Sequence, residues 1–128
     1  MAEVYFDPDE PVIVLGVTIQ GTKGKRKISS ALDTGATFTI IPWEVADVLG
    51  YEPHFCKERT GVITASGTEY APVVTLESLM CLGMEVKDLK AVVHDLPPAS
   101  YVDGLLGLNF LRNFRVCLDF REGILSIE

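Results

Sequence analysis

Glycine-bearing turns recur along this chain, each between two runs of β-branched and aliphatic residues, and that punctuation constrains the fold more than any other feature. PVIVLGVTIQG (11–21) leads into a turn containing Gly21 and Gly24, and RKISSALDTG (26–35) leads away from it. Two β-prone runs joined by a short glycine-containing turn read as a hairpin. GVITASGTEYAPVV (61–74) repeats the pattern with Ser66 and Gly67 at the tip, and a further turn falls at Gly83. FTIIP (38–42) and LKAVVHDLP (89–97) read as strands, the second ended by Pro97 and Pro98. RVCLDFREGILSIE (115–128) reads as a closing hairpin turning near Gly123. Only PWEVADVLGY (42–51) and GLNFLRNF (107–114) carry helical patterns. Both are short, and the first has Pro42 near its start, acid in its first turn and Gly50 as its stop. A mostly β architecture with one or two short helices follows.

At 128 residues the chain is expected to form one domain, 1–128, with a core from about residue 12 to 127. The net charge of −7 supplies no basic field for phosphates, which argues against a nucleic-acid or anionic-membrane partner. KGKRK (23–27) is the one basic run, and with Gly21 and Gly24 in or beside it we read it as a solvated hairpin turn. No apolar run approaches the ~20 residues of a membrane span, and the start lacks a signal-peptide pattern, so a cytoplasmic location is expected. Cys56, Cys81 and Cys117 are odd in number and widely spaced, as reduced thiols are. His54 and Cys56 lack further ligands nearby and His94 is isolated, so neither a metal nor a cofactor is expected. Tyr5, Trp43, Tyr51 and Tyr101 read as core or rim packing residues.

One residue resists this reading. In SSALDTGATFTIIP (29–42), Asp33 sits among small and apolar residues where the backbone must turn. An ionised carboxylate there is costly unless it is paired or hydrogen-bonded. Asp and Gly are both favoured in turns, so a purely conformational role is available. The tripeptide Asp33-Thr34-Gly35 alone is weak evidence, since composition yields such a triplet in roughly one chain in forty of this length.

Its setting is more specific. The triplet follows a strand and precedes Ala36 and a second apolar strand; a glycine-tipped hairpin comes about thirty residues later, and DGLLGLNFL (103–111) lies near the end. In that order the chain resembles the retropepsin-like aspartic proteases, most strongly at residues 31–36 and 104–111. The resemblance implies an all-β fold: a closed β-barrel or sandwich with a flap hairpin. It implies that Asp33 is the catalytic carboxylate and that Thr34, Gly35, Ala36 and Gly107 support it. It also implies that Ala65, Ser66 and Gly67 form the flap tip over an extended peptide, and that Gly107 opens the main helix.

Peptide hydrolysis by this route needs two carboxyls sharing a proton, one taking a proton from water and the other donating toward the carbonyl oxygen. The chain has no second Asp-Thr-Gly or Asp-Ser-Gly, so the partner carboxyl is expected from Asp33 of another copy across a two-fold axis. The expectation is an aspartic endopeptidase, active as a homodimer on peptide or protein substrates and inactive as a monomer. By the same resemblance Thr34 would bond across to the facing loop, and Gly35 would let the substrate backbone approach. Two positions depart from the retroviral branch: Thr37 and Leu108 stand where an aspartate and an arginine pair in that branch. Both partners are missing together, which leaves no buried charge unpaired. A second reading keeps the fold and groove but makes the chain a catalytically silent dimeric scaffold that binds peptides. A phosphotransferase is disfavoured by the short chain and by the lack of a Gly-x-x-x-x-Gly-Lys signature. Tyr70, beside the flap tip, is the aromatic placed to meet a substrate.

Overall fold

The computed structural model describes residues 2–128. After β1 (Ala2–Tyr5), the first hairpin joins β2 (Val14–Gly21) to β3 (Gly24–Leu32) through a two-residue turn, Thr22-Lys23, with Gly21 opposite Gly24. The turn is shorter than KGKRK suggests, and Lys25, Arg26 and Lys27 lie within β3 opposite Gln20, Ile19 and Thr18. Alternation explains this: Lys25 and Lys27 are exposed while Ile28 turns inward, so a strand accommodates the basic run with its charges outward.

β4 (Thr39–Ile41) leads into helix α1 (Trp43–Val48), which starts after an extended Pro42 (φ −70°, ψ 155°). It ends where Gly50 takes φ +90°, and the Tyr51 N–H reaches back to the Ala46 carbonyl at 3.0 Å. This is the glycine-dependent stop foreseen in the sequence. A single 3-10 turn, Pro53–Phe55, precedes the flap hairpin of β5 (Arg59–Thr64) and β6 (Gly67–Cys81). β6 turns back at Leu82 and Gly83, both with positive φ, into β7 (Met84–Val93). Two successive left-handed residues make the tight hairpin turn that matches strand twist.

β8 (Gly104–Leu106) and helix α2 (Leu108–Leu111) follow, then the hairpin of β9 (Val116–Asp119) and β10 (Ile124–Ile127). α2 is one turn, shorter than GLNFLRNF suggests. The Asn113 side chain donates to the carbonyls of Asn109 and Phe110 at 3.0 Å, satisfying them where a longer helix would have used backbone N–H groups.

Six strands close on themselves in the order β2-β3-β8-β4-β7-β6, with β6 also pairing β2. The predicted closed all-β barrel is thus present, and closure leaves no free edge within the ring. β5 hangs outside it on β6 alone and forms the flap. Where β8 meets β4, Ile40 faces Leu105, and Gly104 lies so near the Ile40 carbonyl oxygen that a Cβ would collide with it.

A separate three-stranded sheet, β1-β10-β9, brings the two ends of the chain together, Ala2 opposite Ile127. Leu125 and Ile127 bury in the same core cluster as Val17, Ile19, Leu76, Leu79, Leu106 and Phe110. Trp43 and Tyr51 pack partly buried against that core, whereas Tyr5 and Tyr101 are 79% and 70% exposed and are not packing residues within the chain. No helix among the described residues is long and apolar enough to cross a membrane.

Candidate active site

Asp33 directly follows β3, where the barrel strand gives way to a turn. Its own N–H donates to the Leu106 carbonyl at 3.0 Å, which ties the start of the turn to the neighbouring β8. Within the turn, the Ala36 N–H donates to the Asp33 carbonyl at 3.2 Å, and the Gly35 N–H donates to Asp33 Oδ1 at 2.8 Å. The second bond fixes the carboxyl with a backbone donor two residues on, the local contact that suits an aspartate to a turn. Asp33 is half-buried, while Thr34 and Gly35 are exposed beside it.

The far side of the turn is held equally firmly. The Leu108 and Asn109 N–H groups donate to the Ala36 and Thr37 carbonyls at 2.8 and 3.2 Å, so α2 begins against the Asp33 turn. This contact needs Gly107: a Cβ there would sit 2.6 Å from the Phe38 carbonyl and 2.9 Å from the Ala36 oxygen. Leu108 stands at the position where the retroviral branch has arginine, and its backbone rather than a side-chain ion pair makes the bond.

Two residues central to this brace were not singled out in the sequence, Thr39 and Asn109. Thr39 is buried at 1% exposure; its hydroxyl accepts from the Gly107 N–H at 3.2 Å and donates to Asn109 Oδ1 at 2.9 Å. The Thr39 N–H donates to the same oxygen at 2.9 Å, and Asn109 Nδ2 donates to the Lys90 carbonyl at 2.6 Å. The signal available was a polar residue inside each of two apolar runs, TII and LNFL. It became readable only once the fold brought the two together.

The flap lies opposite. Ala65 and Ser66 form its tip, exposed, between the paired Thr64 and Gly67; Gly67 takes φ +122° and the Thr64 hydroxyl donates to its carbonyl at 2.9 Å. Between β5 and the Asp33 turn is a cavity of about 380 Å³ with Gly35, Ala36 and Phe38 on one wall and Gly61, Val62 and Ile63 on the other. Ile63, on β5, is 89% exposed, and Tyr70, on β6, 71%. Tyr70 lines a different, small cavity next to Trp43 and His94 rather than the cleft by Asp33.

The remaining polar candidates stand apart. His54 packs its ring against Trp43 at 4.8 Å, and among the described residues no cluster of His, Cys, Asp and Glu is arranged to hold a metal. Burial pushes the Cys81 thiol up to about 11, which makes it a poor nucleophile. Asp33, in contrast, sits on a turn held by both neighbouring elements and lines a cavity beside it.

Residues 17–113 match the family model for gag-polyprotein putative aspartyl protease. The chain is also similar to a solved structure, a retropepsin-like aspartic protease from Rickettsia conorii, at 25% sequence identity and a TM-score of 0.73, covering 100% of this chain and 99% of that one. No curated protein matches the chain by sequence.

Proposed function

The chain belongs to the retropepsin-like aspartyl protease family, and from that premise we propose that it is an aspartic endopeptidase active as a homodimer, with Asp33 contributed once by each subunit. The observation that carries this reading is the placement of Asp33: a carboxyl aligned by the Gly35 N–H, on a turn braced from both sides, whose following residues Gly35 to Phe38 face the flap strand across a cleft.

In the proposed reaction an extended peptide lies in the cleft under Ala65, Ser66 and Gly67. The ionised Asp33 takes a proton from water, whose oxygen bonds to the scissile carbonyl carbon. The protonated Asp33 of the other subunit gives its proton to the carbonyl oxygen. The tetrahedral diol then collapses: the amine nitrogen takes the proton held by the first Asp33 and the C–N bond breaks, while a diol hydroxyl gives its proton to the second Asp33 as the new carboxyl group forms, so the pair again holds one proton. Exclusion of water by the closed flap strengthens each of these interactions. Thr34, exposed at the turn, is the residue positioned to bond across the two-fold axis. The cytoplasm is the proposed compartment, with which the unbridged cysteines are compatible.

Asp33→Asn keeps the shape of the turn and removes the proton transfer. Turnover of a peptide library or unfolded protein should fall at least about 10³-fold, while sedimentation shows the dimer intact. The wild type should cleave with a bell-shaped profile on the acid side. Undiminished turnover in the variant would reject the assignment, and peptide binding by wild type without cutting at any pH from acid to neutral would make the chain a peptide-binding scaffold.

A further inference from the structure

A second cavity, of about 450 Å³, opens on the other side of the Asp33 turn. Asp33, Ile13, Leu32 and Leu105 are among its lining residues, and so are Asp7 and Glu10 of the segment leading into β2; no lysine or arginine lines it. The same two acids line an adjoining cavity of about 180 Å³ together with Tyr101. The cavity beneath the flap, in contrast, is lined by no charged residue at all. The two sides of the Asp33 turn therefore differ in charge.

The backbone that carries these acids is held in place. The Phe6 N–H donates to the Gly123 carbonyl at 2.8 Å, the Glu10 N–H to the Asp7 carbonyl at 3.2 Å, and the Leu32 N–H to the Ile13 carbonyl at 2.9 Å. The Asp9 N–H caps Asp7 Oδ1 at 2.9 Å. Among the described residues the one ion pair is Lys90 with Glu58, so neither Asp7 nor Glu10 is neutralised by a neighbouring cation. Apolar walls with unneutralised carboxylates suit a side chain that combines a long aliphatic stem with a cationic head, and they repel an acidic one.

We propose that this cavity is a specificity pocket for a lysine or arginine side chain of the substrate, close to the scissile bond, with Asp7 and Glu10 as the residues that select it. The neutral cavity under the flap takes an apolar side chain. The inference rests on the peptidase reading for where the bond is cut, but the preference in binding does not depend on cutting.

The test uses short extended peptides in which each position in turn is Lys or its uncharged near-match Met, or Glu. Affinity is measured by fluorescence anisotropy on the Asp33→Asn protein, and cleavage on the wild type. At low salt one position should favour Lys over Met by about tenfold, or about 1.4 kcal/mol, and disfavour Glu. The ratio should shrink as salt is raised, because these exposed charges are screened within ~10 Å at 0.1 M. Asp7→Asn combined with Glu10→Gln should bring the Lys/Met ratio close to one, and Glu10→Lys should turn the preference toward Glu. Equal affinity for the Lys, Met and Glu peptides at every position would overturn the proposal, as would a Lys preference that survives neutralisation of both acids. Cleavage without a basic preference defeats this inference and leaves the peptidase reading standing; a basic preference in binding without cleavage does the reverse. Both acids are exposed, so folding of the variants, followed by circular dichroism, should be retained; should the double variant fail to fold, Glu10→Lys alone decides the outcome.

Discussion

Replacing Thr39 by valine removes one oxygen and almost no volume, which makes it a sharp probe of the brace behind Asp33. The Thr39 hydroxyl is the acceptor for the buried Gly107 N–H at 3.2 Å and a donor to Asn109 Oδ1 at 2.9 Å. Asn109 Oδ1 keeps the Thr39 N–H, so its loss is partial, whereas the Gly107 N–H is left without that acceptor. An unsatisfied buried donor costs about 1–3 kcal/mol, and the second lost bond about 1 kcal/mol. The added methyl returns about 0.8 kcal/mol. The net destabilisation should be about 2 kcal/mol. With an unfolding entropy of ~2.1 cal/mol/K per residue, that corresponds to a drop of about 7 °C in Tm for a chain of this size. Thr39→Ser keeps both bonds and should lose only about 1 kcal/mol from the missing methyl. Because Gly107 and α2 hold the Asp33 turn, the valine variant should also lose kcat beyond its stability loss, and the serine variant should not. The assay is calorimetry at fixed protein concentration, paired with peptide turnover well below the melting range. A valine variant as stable and as active as wild type would refute the claim that this hydroxyl positions the turn.

Gly104→Ala places a methyl against the Ile40 carbonyl where β8 crosses β4. Backbone rather than a flexible side chain must then yield, so denaturant midpoints should show a loss above about 3 kcal/mol, and wild-type stability would refute the close approach. Burial raises the Cys81 thiol from 9.0 to about 11, which favours its neutral form in the folded chain. Its contribution is fully present below pH 9 and is lost as the pH rises from 9 to 11, about 2–3 kcal/mol in all. The stability difference between wild type and Cys81→Ala, from urea titrations, should therefore shrink across that range; a difference independent of pH would count against it. At pH 8 a thiol reagent should label the exposed Cys117 and leave Cys81 unmodified in the folded protein.

Much of the architecture was legible because local chemistry dictated it. Gly50, Gly67, Gly83 and Gly123 all take positive φ at the turns the sequence indicated. The Pro42 start and Gly50 stop of α1 come from the same kind of signal, as do the flap hairpin and the closing hairpin. The reading fell short where the deciding partner was remote in the chain. Only Ile127 and its neighbours, at the opposite end, make Ala2–Tyr5 a strand. KGKRK looked like a turn because charge and glycine dominate it, yet pairing with β2 draws Lys25–Lys27 into a strand. GLNFLRNF has a helical pattern throughout, but Asn113 caps it after one turn.

The candidate site divides along the same line. Asp33, Thr34 and Gly35 are adjacent in the sequence, so the bond from the Gly35 N–H to the Asp33 carboxyl is a local consequence of three consecutive residues, and the sequence determined it alone. The brace through Thr39 and Asn109 spans seventy residues, and the cavity shared by Asp7, Glu10 and Asp33 joins the start of the chain to the end of β3. Neither has a local signature, because a hydrogen bond or a cavity wall depends on separation in space. Pairing of β8 with β4 brings Thr39 and Asn109 together, and the bonds from Phe6 to Gly123 and from Leu32 to Ile13 seat the acid-bearing segment beside Asp33.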